Sequence, residues 1–118
     1  MPRRRAAKNC KIVPWLSARL DSKEGRFIQI GNSLLLSEKF NSLRPVTRLL
    51  YLCMAMEAGG NKSFKFPLSA AKKYGFSESS LWRGVKELEG AGFLRHVSMK
   101  NLRMPNEYTF YDEWMLGG

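Results

Sequence analysis

The sequence predicts a mainly helical domain with a small β-hairpin, an α+β arrangement, on three observations. Residues 67–94 read as a short helix, a tight turn at Gly75, a longer helix and the start of a strand. The alternating segment Phe93 to Met99 is answered, after a turn-rich stretch, by a second one from Glu107 to Tyr111. Upstream, Pro45 and the pair Gly59-Gly60 bracket an apolar run of helical length.

In chain order, residues 1–26 carry Arg3, Arg4, Arg5, Lys8, Lys11 and Arg19 with few apolar residues and no clear period. That is the pattern of a partly flexible basic arm able to reach phosphates. Ile12, Val13, Trp15 and Leu16 interrupt it, and are expected to dock on the domain or on a second copy of it. The domain proper is expected over residues 27–114, with a short tail at 115–118.

Phe27-Ile28-Gln29-Ile30 is a β-prone alternating run ended by Gly31-Asn32. Ser33 is placed to cap a first helix carrying Leu34, Leu35, Leu36 and Phe40. A second helix opens at Pro45, where the missing N–H costs nothing, and stops near Gly59-Gly60. Its apolar surface is broad, running through Val46, Leu49, Leu50, Cys53 and Met54 with Leu52 and Met56 beside them. It is read as a central helix buried on both sides, or as one that also makes a dimer contact. Phe64-Lys65-Phe66 is a short strand stopped by Pro67.

On the longer helix after Gly75, Leu81, Val85 and Leu88 fall on one stripe at i, i+4 and i+7. At about 100° per residue, Ser79, Arg83 and Lys86 point the opposite way. Ser77 is the N-cap, and Gly90-Ala91-Gly92 supplies glycine for a left-handed C-cap. A cationic helix face behind a glycine-containing turn is what a helix-turn-helix offers the major groove of DNA. A hairpin directly after such a helix is the wing of a winged helix-turn-helix.

The 118-residue length leaves room for one modest domain, and the 44% hydrophobic content is ordinary for a globular chain. Lys and Arg total 20 against 10 Asp and Glu, a net charge of +10 that favours polyanions through counterion release. Many small basic proteins are merely well solvated, so it is the helix-turn-helix pattern that turns charge into an expectation of nucleic acid.

Cys10 and Cys53 cannot build a disulfide framework, and with a single histidine they lack metal-ligand spacing. Cys53 is expected to be a buried thiol, and Cys10 sits in a basic stretch without a redox motif. No paired-carboxylate site, nucleophile–histidine motif or phosphate loop marks an enzyme, and no cofactor or small-molecule ligand is expected. His96 is read as structural. No apolar run spans a bilayer, and Pro14, Ser17, Arg19 and Asp21 deny the amino-terminal segment a signal-peptide core. The cytoplasm is the expected compartment.

The string Gly75-Phe76-Ser77, then Ser80-Leu81-Trp82-Arg83-Gly84-Val85-Lys86-Glu87-Leu88, then Gly92-Phe93-Leu94 resembles bacterial winged-helix DNA-binding proteins. Their pattern has a hydroxyl residue after the turn, another three residues on, an arginine, and a Glu-Leu-x-x-x-Gly-hydrophobic string leading into the wing. From Phe27 to Trp114 the chain is similar to winged-helix proteins of plasmids, phages and conjugative elements of Gram-positive bacteria. Met104-Pro105-Asn106-Glu107-Tyr108 resembles the entry to the last strand in amino-terminal domains of plasmid replication initiators. The resemblance implies binding to double-stranded DNA by a small regulator of transcription, or of replication and transfer, on a mobile element. Such domains often dimerise, so a homodimer on a two-part site is expected.

The residues expected to meet DNA follow from position. Ser77, Ser79 and Ser80 sit at the amino end of the reading helix, where hydroxyls and N–H groups hold a phosphate or base edge, although Ser77 can serve as a cap alone. Arg83 is the candidate base reader, by bonding guanine O6 and N7; its alternative is an ion pair with Glu87. Lys86 suits a phosphate. Trp82 is read as core packing, with the sugar-phosphate wall as the alternative. Ser69, Lys72 and Lys73 stand on the first helix of the motif, which crosses the backbone. Lys100, Asn101 and Arg103 occupy the wing tip, where they enter a minor groove or remain solvated. Glu78 can accept from a cytosine amino group, and Glu89 lies off the cationic face. Two other uses of the fold remain open: a protein–protein adaptor in a replication or transfer complex, and an RNA or single-strand binder stacking bases on Trp82 or Tyr111.

Overall fold

The computed structural model describes residues 10–13, 16–21, 25–97 and 107–111. Within them the chain is α+β, with five helices and two three-stranded antiparallel sheets. The first sheet runs β1 (Cys10–Val13), β2 (Leu16–Asp21) and β3 (Gly25–Ile30) in consecutive order. β3 was expected; β1 and β2 were not. The segment read as an arm without a period is therefore corrected to paired strands over residues 10–13 and 16–21. Backbone pairing from Leu16↔Ile30 to Asp21↔Gly25 crosses the expected boundary at residue 26. β2 and β3 both lie against the helix from Pro45 to Ala58, while Trp15 and the side chains of Ile12, Val13 and Leu16, the cluster expected to dock, lie outside what the structure describes.

The single helix expected after Gly31 is two: α1 (Asn32–Leu35) and α2 (Glu38–Ser42). Ser33 lies inside α1 and does not cap it. Ser37 breaks the run instead, since its extended backbone lets its hydroxyl accept from the Phe40 N–H at 3.2 Å. Asn41 bridges the break, its Nδ2 donating to the carbonyls of Leu35 (2.8 Å) and Ser37 (3.0 Å).

α3 (Pro45–Ala58) has proline at its start and ends on Gly59 at φ 62°, a conformation that favours glycine. Thr47, Leu50, Tyr51, Met54, Ala55 and Ala58 are buried. Leu49, however, is 52% exposed and Val46 is exposed beside it, so the helix is not buried on both sides. Cys53 is half-buried against the core, and burial pushes its thiol pKa up, away from reactivity.

β4 (Ser63–Lys65) ends one residue earlier than the alternation suggested, with Phe66 buried just beyond it. α4 (Leu68–Lys73) and α5 (Glu78–Gly90) follow, then β5 (Leu94–His96) and β6 (Glu107–Phe110). The expected hairpin is present: β5 and β6 pair antiparallel with Leu94↔Phe110 and His96↔Tyr108. β4 joins the other edge of β6 through Phe64↔Tyr108, giving the order β4-β6-β5. Strands this short hold only when a third strand and helices cover them. Here the inward side chains Phe64, Leu94, Tyr108 and Phe110 enter the core beneath α3 and α5.

Four rings fill the centre of that core. Phe93 meets Phe40 at 5.7 Å and Tyr51 at 5.4 Å between centroids, and Tyr51 meets Phe110 at 5.6 Å, all edge to face. Phe64 stacks on Phe110 at 4.6 Å. Burial, with the charge of Glu89 adding to it, pushes the Tyr108 hydroxyl pKa up to about 12.

Candidate functional site

The turn between α4 and α5 is built by Gly75. Its φ of +93° favours glycine, and the Phe76 N–H returns to the Ala71 carbonyl at 2.9 Å to close α4. Ser77 then caps α5, its Oγ accepting from the Ser80 N–H at 3.1 Å. The hydroxyls of Ser79 and Ser80 lie 3.3 and 3.1 Å from the same oxygen, so three serines cluster at the head of the helix.

Along α5, Leu81, Val85 and Leu88 are buried while Ser79, Arg83 and Lys86 are exposed, the two faces expected from spacing. Gly84 lets the helix approach α3 closely: a Cβ there would stand 2.5 Å from Leu50 Cδ2. Trp82 is half-buried, and the Lys86 ammonium lies 6.0 Å from its ring centroid. It therefore edges the exposed face and is not part of the buried core.

Glu87 does not pair with Arg83. Its carboxylate accepts from the Arg44 Nε at 3.0 Å, from the Arg44 backbone N–H at 3.2 Å, and from the hydroxyl of the fully buried Thr47. The carboxylate thus supplies a cap that Arg44, the N-cap of α3, cannot make with its own side chain. Desolvation, the largest single influence, raises the Glu87 pKa. The hydrogen bonds from Thr47 and Arg44 and the guanidinium charge together outweigh it and hold the pKa below the ordinary 4.5.

A lowered carboxylate pKa stabilises the fold above the unfolded value near 4.5, and that contribution is lost as pH falls through the folded value. Thermal melts at stepped pH should therefore show wild type losing its advantage over Glu87→Gln in acid. Parallel curves for the two proteins would remove this network as the cause.

Other expected site residues are distributed unevenly. Lys73 is taken by Glu57, Nζ to Oε1 2.9 Å, and Tyr74 Oη donates to the same oxygen at 2.9 Å. Lys73 is thereby drawn into a structural ion pair that the sequence reading did not foresee. Ser69, Lys72 and Glu78 are exposed, Glu78 in the first turn of α5 where negative charge suits the helix dipole. Glu89 accepts from the His96 N–H at 2.7 Å and lies 2.6 Å from its Nδ1, fastening β5 to α5.

Lys100, Asn101 and Arg103 lie outside the described residues, as do Arg3, Arg4, Arg5 and Lys8. Of Lys11 only the backbone, in β1, is described. Arg44 is the residue the sequence reading passed over. With Arg83, Lys86 and Glu87 it lines a shallow depression where α3 meets α5.

Among the described residues no helix is long and apolar enough to cross a membrane, and no histidine, cysteine and carboxylate group is placed to hold a metal ion. Comparison with known proteins finds no matching family model, curated protein or solved structure.

Proposed function

We propose that the chain is a winged-helix module, not an enzyme, that binds double-stranded DNA by laying α5 in the major groove. The observation that carries this reading is the exposed Ser79-Arg83-Lys86 face of a helix whose opposite face is anchored in the core. The β4-β6-β5 sheet, with β5 and β6 as the root of a wing, supports it, as does the net charge of +10. Arg83 has no hydrogen-bonding or ionic partner among the described residues, so its fork is available to a base edge. A small regulatory role on a mobile element, in the cytoplasm and as a homodimer, completes the proposal and rests on the sequence resemblance.

The test is a fluorescence titration of labelled duplex and single-stranded DNA over increasing salt. Tight duplex binding that weakens steeply with salt is expected. Arg83→Ala should cost about 1–3 kcal/mol on the preferred site and relax selectivity there. Unchanged affinity would remove α5 as the reader. An adaptor role is the rival reading, and the exposed Leu35, Leu36, Val46 and Leu49 favour it. Absence of duplex binding at low salt would decide for the adaptor, and preference for unpaired strands for the single-strand reading.

A further inference from the structure

We propose that Arg44, at the head of α3, seats a backbone phosphate of the same duplex, with Glu87 as its positioning residue. The inference rests on the duplex-binding reading and extends its contact surface to a second helix. Among the described residues, three cations, Arg44, Arg83 and Lys86, line the depression together with one carboxylate, Glu87.

The arrangement follows from packing. Gly84 draws α5 onto α3 at Leu50, and one turn further on Glu87 meets Thr47 and Arg44. Arg44 therefore reaches the flank of the exposed α5 face from a different part of the chain. Its Nε is committed to Glu87, and its Nη2 lies a long 3.4 Å from the Thr47 hydroxyl. A guanidinium carries five N–H donors, so most of the fork remains for another acceptor.

The side chain is 39% exposed, so the guanidinium is accessible to a ligand from solvent. Fixing Nε holds the guanidinium plane before any ligand arrives, and a planar fork matches two phosphate oxygens. Held on α3 and not on α5, Arg44 is assigned to the strand backbone and contributes affinity independent of sequence.

The experiment compares wild type, Arg44→Gln and the double variant Arg44→Gln with Glu87→Gln on random-sequence duplex, across a salt series. The double variant removes both charges, leaves net charge unchanged and keeps amide groups able to hydrogen-bond. Both variants should lose about one unit of slope in log affinity against log salt. At about 0.1 M salt this is about a tenfold loss, equal for all sequences. Arg44→Lys should keep the slope, and circular dichroism melts confirm folding in each case.

An unchanged slope in Arg44→Gln overturns the proposal. So does recovery of wild-type slope in the double variant, since Arg44 would then only neutralise Glu87. Failure of wild type itself to bind duplex is a separate result that removes the duplex reading and this seat together.

Discussion

Phe93→Ala is expected to lower the unfolding free energy by about 3–5 kcal/mol, a large part of the roughly 5–15 kcal/mol that holds a domain of this size. Phe93 is fully buried and touches Phe40 and Tyr51 edge to face, so truncation removes two ring contacts as well as the apolar volume. The void would be hard to refill. Its walls are rings fixed by their own partners, and rigid surroundings collapse poorly into a cavity. The backbone is pinned too: the Phe93 N–H donates to the Leu88 carbonyl, and its carbonyl accepts from Tyr111, both at 2.9 Å. Phe93 thus joins the end of α5 to the far end of β6, and its loss loosens helix and sheet together. Urea unfolding followed by circular dichroism measures the effect. A loss below about 1 kcal/mol would mean that the neighbouring rings close the gap.

Local signals carried the helices whose ends are set by one residue. Pro45, Gly59, Gly75 and Ser77 each impose a backbone geometry or satisfy an orphan donor within a few positions, and the structure uses all four as expected. The Leu81-Val85-Leu88 stripe was equally legible, because burial on one helix face leaves a period in the sequence. The break between α1 and α2 was not legible: Ser33 was read as the cap of one helix, whereas Ser37 caps a second, whose Phe40 packs against Tyr51 and Phe93.

The first two strands failed for a different reason. Leu16, Ala18 and Leu20 do alternate with Ser17, Arg19 and Asp21, but the surrounding arginines and lysines make the stretch read as a solvated tail. A strand is completed by a partner, and the pairing with β3 is not written in either segment alone.

Ion pairing was the least legible feature. Spacing offered Arg83 to Glu87 one helical turn away, but Arg44, 43 residues earlier, takes the carboxylate. Arg44 wins because it brings both a guanidinium and a helix-start N–H that needs an acceptor, and Thr47 adds a third donor. Lys73 was similarly drawn to Glu57 across helices. In the candidate site, therefore, the exposed face of α5 could be read from sequence, and its neighbours on α3 could not.

Gly84→Val should cost about 2–3 kcal/mol, because the position sits where α5 packs closely on α3. A Cβ at residue 84 would fall 2.5 Å from Leu50 Cδ2 and 3.8 Å from Thr47 Oγ1. Leu50 is fully buried, so its methyl cannot swing into solvent, and the helices must part or Leu50 must leave its rotamer. Glycine inside a helix otherwise costs about 0.5–1 kcal/mol relative to alanine, so Gly84→Ala recovers some of its clash through propensity and should be the milder change. Valine gains less from propensity and adds two methyls to the collision. Parting α5 from α3 would also draw Glu87 from Arg44 and Thr47, so the variant should lose the acid sensitivity that marks their contact. Leu50→Ala supplies the space that valine needs. Combined with Gly84→Val it should cost less than the sum of the two single changes, a coupling of about 1–2 kcal/mol in a double-mutant cycle. Strict additivity would show that the two side chains never compete for the same volume, and that the close approach of these helices has another origin.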